Sequence, residues 1–212
     1  MHYIFDFDGT LADSENCSIL ATQAAFRACH LPVPTDAEIA HYMGIPIERS
    51  FKEMANRDFT EQAFDELLTT FRSYYQQFEP DTLQLFPGMM EVLQTLQQRG
   101  AKCFVVSSKK TDVLKRNLTA LQIDGFFQDC IGSDQVKHYK PHPEGIFLLL
   151  ERFRLQAADC VMIGDATFDM QMGKAANCRT CAVTWGSHTK ELLEAEEPDI
   201  VVEQVLALSQ IS

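Results

Sequence analysis

The chain has 212 residues, 46% of them hydrophobic, which suits one large globular domain or a domain carrying a modest insertion. Its formal net charge of -12 argues against nucleic acid or an anionic membrane as the main partner, because both need a positive footprint. With no long apolar run, and no basic region leading into one at the N-terminus, neither a membrane span nor a signal peptide is expected, and the location is read as cytoplasmic.

The short apolar run Tyr3-Ile4-Phe5 predicts a first strand, which releases Asp6-Phe7-Asp8-Gly9-Thr10 into a glycine turn. A strand repeats every two residues, so Asp6 and Asp8 leave its end on the same side. Two like charges that close require a metal, a cationic partner or a shared proton. From about Ser14 helical periodicity takes over, in 15–29, 36–43, 48–55 and 61–78, without a convincing strand between them. After Phe86-Pro87-Gly88 helices and short apolar strands alternate: helix 89–99, strand 102–107, helix 110–121, strand 128–132, helix 143–153, strand 160–164, helix 167–176 and strand 180–184. The tail 199–211 reads as a short strand followed by a helix.

That alternation predicts parallel βαβ units, with residues 1–13 supplying one strand of the same sheet. The expected architecture is α/β, a three-layer Rossmann-like parallel sheet core (1–13 and 86–212) with an inserted all-helical cap (14–85).

Open parallel sheets bind ligands at the carboxyl ends of their strands. The first strand delivers Asp6 and Asp8, the second Ser107-Ser108-Lys109, and the run Val161-Met162-Ile163-Gly164 delivers Asp165, with Asp169 four residues on. Lys140-Pro141-His142-Pro143 lies between the last two. Carboxylates, a hydroxyl, a lysine and further carboxylates at successive strand ends form a complete set for phosphoryl transfer.

These four segments resemble, in order, the four motifs of the haloacid dehalogenase (HAD) superfamily, across the whole α/β core. Asp6-Phe7-Asp8-Gly9-Thr10 is similar to the first motif, Ser107 to the second, Lys140 to the third and Gly164-Asp165-Ala166-Thr167-Phe168-Asp169 to the fourth. The helical insert resembles the small cap of the subgroup that contains phosphoglycolate phosphatase and β-phosphoglucomutase. The resemblance implies a phosphatase acting on a small phosphorylated metabolite, as a monomer or dimer.

In that reading Asp6 is the nucleophile that forms an aspartyl-phosphate, and Asp8 protonates the leaving alkoxide and later deprotonates water. Thr10 orients Asp8. Mg2+ suits the all-oxygen ligands Asp6, Asp8 through its carbonyl as in related enzymes, and Asp165, while Asp169 supports the metal's waters. Ser107 and Ser108 offer hydroxyls to the phosphoryl group, Lys140 sets a positive charge against it, and Gly9 with its neighbouring amides completes a phosphate cradle. Arg49, in the substrate-loop-like Gly44-Ile45-Pro46-Ile47-Glu48-Arg49, is the candidate for a second anionic group on the substrate, against a plain surface charge.

Other readings have their own signals. Ser108 can be the N-cap of the following helix, and Asp165 and Asp169 can place negative charge at a helix N-terminus. Dehalogenases of the superfamily lack the second acid at the position of Asp8. β-Phosphoglucomutase-type mutases carry a histidine shortly after the first motif, where this chain has Asp13-Ser14-Glu15-Asn16. The phosphomutase remains the nearest enzyme alternative, and a phospho-acceptor or interaction module the non-enzyme one. The six histidines show no metal spacing, with His138 and His142 flanking Lys140 without an obvious partner, and the seven cysteines read as free thiols.

Overall fold

The structure is a computed structural model that describes residues 1–211, and it divides into two compact units, 13–84 and the remainder. The second of these holds a parallel sheet built from β1 (His2–Phe5), β4 (Cys103–Val106), β5 (Phe127–Ile131), β6 (Cys160–Gly164), β7 (Arg179–Val183) and β8 (Ile200–Val202). Their spatial order is β5-β4-β1-β6-β7-β8. The chain therefore fills one side of β1 and then crosses to the other, which makes the carboxyl ends of β1 and β6 the topological switch point where ligands of such sheets bind.

β4, β6 and β1 after its first residue, His2, read as apolar runs because both faces of the sheet are covered. Helices α5 (Met89–Gln98), α6 (Thr111–Ala120), α7 (Glu144–Phe153) and α8 (Thr167–Ala175) connect the strands. One cluster on the sheet joins Ile4, Phe104, Ile131, Ile146, Leu149, Met162 and Met172. The alternation expected from the sequence is the alternation found, with element ends displaced by about one residue.

The helical unit holds α1 (Glu15–Ala28), α2 (Asp36–His41), α3 (Ile47–Ala55) and α4 (Glu61–Thr82). Cys17, Ala21 and Ala25 recur every four residues along α1 and pack with Phe26, Phe51, Phe64, Leu67, Phe71 and Tyr75 in its core. Thr35 and Glu38 form a reciprocal cap at the start of α2, and the Thr60 hydroxyl accepts the Ala63 N–H at the start of α4. The connections leave and re-enter the α/β unit through two-residue strands, β2 (Ala12–Asp13) and β3 (Gln84–Leu85), which pair with each other.

Three differences from the sequence reading have simple causes. Helix α4 runs past 78 and through Pro80, which removes one backbone hydrogen bond but leaves the last turn closed, with the Thr82 hydroxyl donating to the Phe78 carbonyl at 2.7 Å. Helix α9 (Lys190–Ala195) was not expected, and its Thr189 cap, whose hydroxyl accepts the Leu192 N–H, is the local feature that marks it. The final helix, 205–210, is a 3-10 turn.

All seven cysteines are free thiols, six of them buried. No helix among the described residues is long and apolar enough to cross a membrane.

Candidate active site

Asp6 directly follows the last residue of β1, and its N–H donates to the Ile163 carbonyl of β6 at 2.8 Å, which seats it at the switch point. The chain then folds back sharply: the N–H groups of Leu11 and Ala12 both converge on the Phe7 carbonyl at 3.0 Å, and Phe7 and Leu11 are fully buried as anchors. Asp165 follows β6, Asp169 lies in the first turn of α8, and Lys140 lies in the loop before α7.

These four side chains meet. The Lys140 ammonium contacts Asp6 Oδ1 and Asp169 Oδ1, each at 2.7 Å, with all three side chains almost wholly buried. Carboxylate oxygens of Asp6, Asp165 and Asp169 lie within 4.8 Å of one another. When all three carboxylates are ionised, the single ammonium leaves an excess of two negative charges among almost wholly buried side chains. A divalent cation matches that excess, and an all-oxygen donor set is the choice of a hard ion. The residues present therefore fit a divalent metal, with Asp169 inside the cluster and bonded to Lys140.

The electrostatics carry the same message. Burial pushes the Asp6 carboxyl up to about 7, opposed by the Lys140 charge and reinforced by Asp169. Burial and the Asp6 charge push Asp165 up to about 6, against the Ser187 N–H and the Thr10 hydroxyl. Asp169 is raised by burial as well. Burial also works against the charge on Lys140, but Asp169 and Asp6 outweigh it and hold the ammonium above the ordinary lysine range.

Asp8 has different surroundings. Its Oδ1 pairs with Lys109 Nζ at 2.8 Å, and both side chains keep some solvent exposure, 15% and 12%. Lys109 also lies over the Phe7 ring, 5.6 Å from its centroid. Ser107, buried, directly follows β4, with Oγ accepting the Lys109 N–H at 3.1 Å, a bond that turns the chain so that Lys109 reaches Asp8. Ser108 stands between them.

Several assignments change. Thr10 donates its hydroxyl to Asp165 Oδ1 at 2.8 Å, so it orients the fourth-motif aspartate instead of Asp8. Gly9 gives its N–H to the Ala12 carbonyl at 2.9 Å and so does not serve the phosphate cradle expected of it. Its role is spatial: with φ at +76°, a Cβ there would lie 2.2 Å from Asp165 Oδ2. Ser108 is not the N-cap of α6; Lys110 holds that position, and Asp134 accepts the Thr111 N–H at 2.6 Å. Asp169 takes the helix-start role, since Oδ2 accepts the Ala166 N–H at 3.1 Å at the start of α8, and it has a second partner that the sequence did not suggest, because Oδ1 holds Lys140. Arg49 lies in the helical unit, 69% exposed and paired with Glu53 one turn along α3.

The sequence reading missed the loop after β7. Ser187 N–H donates to Asp165 Oδ2 at 2.8 Å, His188 N–H to the Asp165 carbonyl at 3.3 Å, and His188 Nδ1 accepts the Thr167 N–H at 3.2 Å. Gly186 leaves room for Asp165, because a Cβ there would lie 2.3 Å from that side chain. Applying the strand-end rule to β7 as well would have found it. His138 and His142 are likewise not without a partner: His138 Nδ1 lies 2.9 Å from Glu144 Oε2, and His142 Nδ1 accepts the Glu144 N–H at 3.3 Å.

Residues 3–183 match the family model described as haloacid dehalogenase-like hydrolase. The phosphoglycolate phosphatase of Pectobacterium atrosepticum is 32% identical over 204 residues, covering 94% of this chain and 87% of that protein. The pyrophosphatase PpaX of Listeria monocytogenes serotype 4b is 31% identical over 210 residues, 98% of this chain and 94% of that one. A crystal structure of a predicted phosphoglycolate phosphatase from Haemophilus somnus superposes with a TM-score of 0.91 over 99% of this chain and 96% of that chain, at 24% identity, which speaks for the fold alone.

Proposed function

This chain belongs to the haloacid dehalogenase-like hydrolases and acts on phosphoric esters, and from that premise we propose that it hydrolyses a small phosphomonoester through an aspartyl-phosphate on Asp6, with Mg2+ as its metal. The observation that supports this most is the unequal environment of the two first-motif aspartates. Asp6 is buried against Lys140, and Asp8 stays partly exposed beside Lys109. A nucleophile must be fixed and stripped of water, whereas an acid-base group needs contact with the leaving group and then with water.

Asp6, Asp165 and the backbone carbonyl of Asp8 would hold the metal, with Asp169 beside them. When bound, Mg2+ neutralises carboxylate charge and polarises the phosphoryl oxygens. An Asp6 carboxylate oxygen attacks phosphorus as the ester P–O bond breaks, and Asp8 gives its proton to the departing oxygen. Asp8 then takes a proton from water, whose oxygen displaces Asp6 and releases inorganic phosphate. Lys140 lies against the attacking carboxylate, and Ser107 offers its hydroxyl to a phosphoryl oxygen. Ser187, His188 and Thr10 keep Asp165 oriented throughout.

The names of the relatives direct the substrate search toward phosphoglycolate and pyrophosphate. The test is a phosphate-release screen with Mg2+ over phosphoglycolate, sugar phosphates, nucleoside monophosphates and pyrophosphate. Release is expected from at least one substrate and is lost in Asp6→Asn. Isomerisation of a sugar phosphate without phosphate release would overturn the phosphatase reading in favour of a mutase.

A further inference from the structure

Residues 138–144 read His-Tyr-Lys-Pro-His-Pro-Glu, and the proposed phosphatase uses only the lysine. The flanking side chains nevertheless converge. The rings of His138 and His142 lie 4.6 Å apart, centroid to centroid, and are tilted by 36°. One ligand atom each from His138, His142 and Glu144 falls within a 4.8 Å span, and both imidazoles are exposed and therefore open to an ion from solution. Pro141 and Pro143 restrict the backbone on either side of His142, so the entropy lost on ordering this loop around a ligand is reduced.

Glu144 is already oriented. Its Oε1 accepts the Lys137 N–H at 2.9 Å, and its Oε2 accepts the His138 N–H at 3.0 Å and lies 2.9 Å from His138 Nδ1, so Oε1 is the oxygen that keeps a lone pair for an ion. Fixing a ligating carboxylate through outer hydrogen bonds is how metal sites hold their geometry. Ligands around a four-coordinate zinc stand about 3.4 Å apart, given Zn–N bonds of about 2.0–2.1 Å. His142 Nδ1 accepts the Glu144 N–H at 3.3 Å, which leaves its Nε2 for an ion, and closing the present span requires the exposed rings to turn toward Oε1.

We infer that His138, His142 and Glu144 form a binding site for a borderline divalent cation of the Zn2+, Co2+ or Ni2+ class, separate from the aspartate cluster. Two imidazoles and one carboxylate select such ions over Mg2+, which prefers oxygen ligands and keeps its waters. Three protein ligands leave a coordination position for water. The site straddles Lys140, whose ammonium bridges Asp6 and Asp169, so a bound ion braces the strap that positions this lysine. Ser107, Ser108, His138, Lys140 and His142 line one pocket, which connects the strap to the end of β4.

The test uses Co2+ as probe on the full chain, with excess Mg2+ present to fill the aspartate cluster. Wild type is expected to bind one Co2+, with visible absorption bands that report nitrogen ligands. His138→Gln and His142→Gln should each weaken that binding by about 10–100-fold, the usual range for losing a metal-site group, while retaining the wild-type circular dichroism. Equal Co2+ affinity in wild type and in the double variant would overturn the inference, as would Co2+ that Mg2+ displaces. Phosphate release with Mg2+ alone is read separately, so failure here leaves the phosphatase reading untouched.

Discussion

The two units handle charge in opposite ways. In the helical unit the Arg49–Glu53 and Arg72–Glu48 pairs stay on the surface, and the core is built from Phe, Leu and Ala side chains. In the α/β unit Asp6, Asp165, Asp169 and Lys140 are buried together at the ends of two central strands. Surface pairs of the first kind contribute about 0–1 kcal/mol each, so the helical unit rests on packing. Removing one member of a buried set leaves an uncompensated charge and costs several times more. The contrast separates a unit selected for a stable shape from one that keeps an unfavourable charge arrangement for its chemistry.

The largest effect expected from breaking this contrast is in the helical core. Phe51 is 2% exposed and packs edge-on against Phe26 and Phe71, with centroids at 5.4 and 4.9 Å. Phe51→Ala should cost about 3–5 kcal/mol, read from urea unfolding followed by circular dichroism. A cost below about 1 kcal/mol would mean that this core is not what holds the unit. Next comes Lys140→Met, which keeps the volume and removes the charge. Phosphate release should fall by about 10²–10³-fold, the scale of losing one group that stabilises transition-state charge. An active Lys140→Met protein would show that the bridge to Asp6 and Asp169 is structural only.

Which parts were legible in the sequence follows the same division. The strands were readable because a buried parallel strand is a short apolar run, and the strand-end rule then identified Asp6, Ser107 and Asp165. The first motif also announced its electrostatic problem through spacing alone. Lys109 escaped a role because nothing local says that it turns back to Asp8; that depends on Ser107 Oγ accepting its N–H. Thr10 was assigned to Asp8, its neighbour in sequence, although its partner Asp165 is 155 positions away. Ser187 contributes through a backbone N–H, which no side-chain pattern can reveal. His138 and His142 lie four apart outside a helix, so their meeting with Glu144 depends on the course of a proline-bounded loop.

A smaller effect concerns metal removal. The folded-state values of Asp6 and Asp165, about 7 and about 6, lie above the ordinary 3.8, so without metal the folded chain binds more protons than the unfolded chain between about pH 4 and 7. Stability must then fall as pH rises through that window. In a chelator, the melting temperature at about pH 8 should lie several degrees below that at about pH 5, where 1 kcal/mol corresponds to roughly 2–4 °C. Saturating Mg2+ should reverse the trend, because it favours the ionised carboxylates for which protons compete. A flat profile in chelator would mean that water reaches the cluster and relieves its repulsion.

The smallest effect is expected at Arg49, and it tests the other side of the contrast. An exposed pair one turn apart on α3 contributes about 0.3–0.5 kcal/mol, so Arg49→Ala should leave unfolding almost unchanged. If the pair with Glu53 is its whole role, KM and kcat for the best substrate of the screen also stay within about twofold, or 0.4 kcal/mol. A large rise in KM at unchanged stability would instead make Arg49 a ligand for a second anionic group on the substrate. The helical unit would then carry a charge kept for chemistry, on its surface instead of in its core.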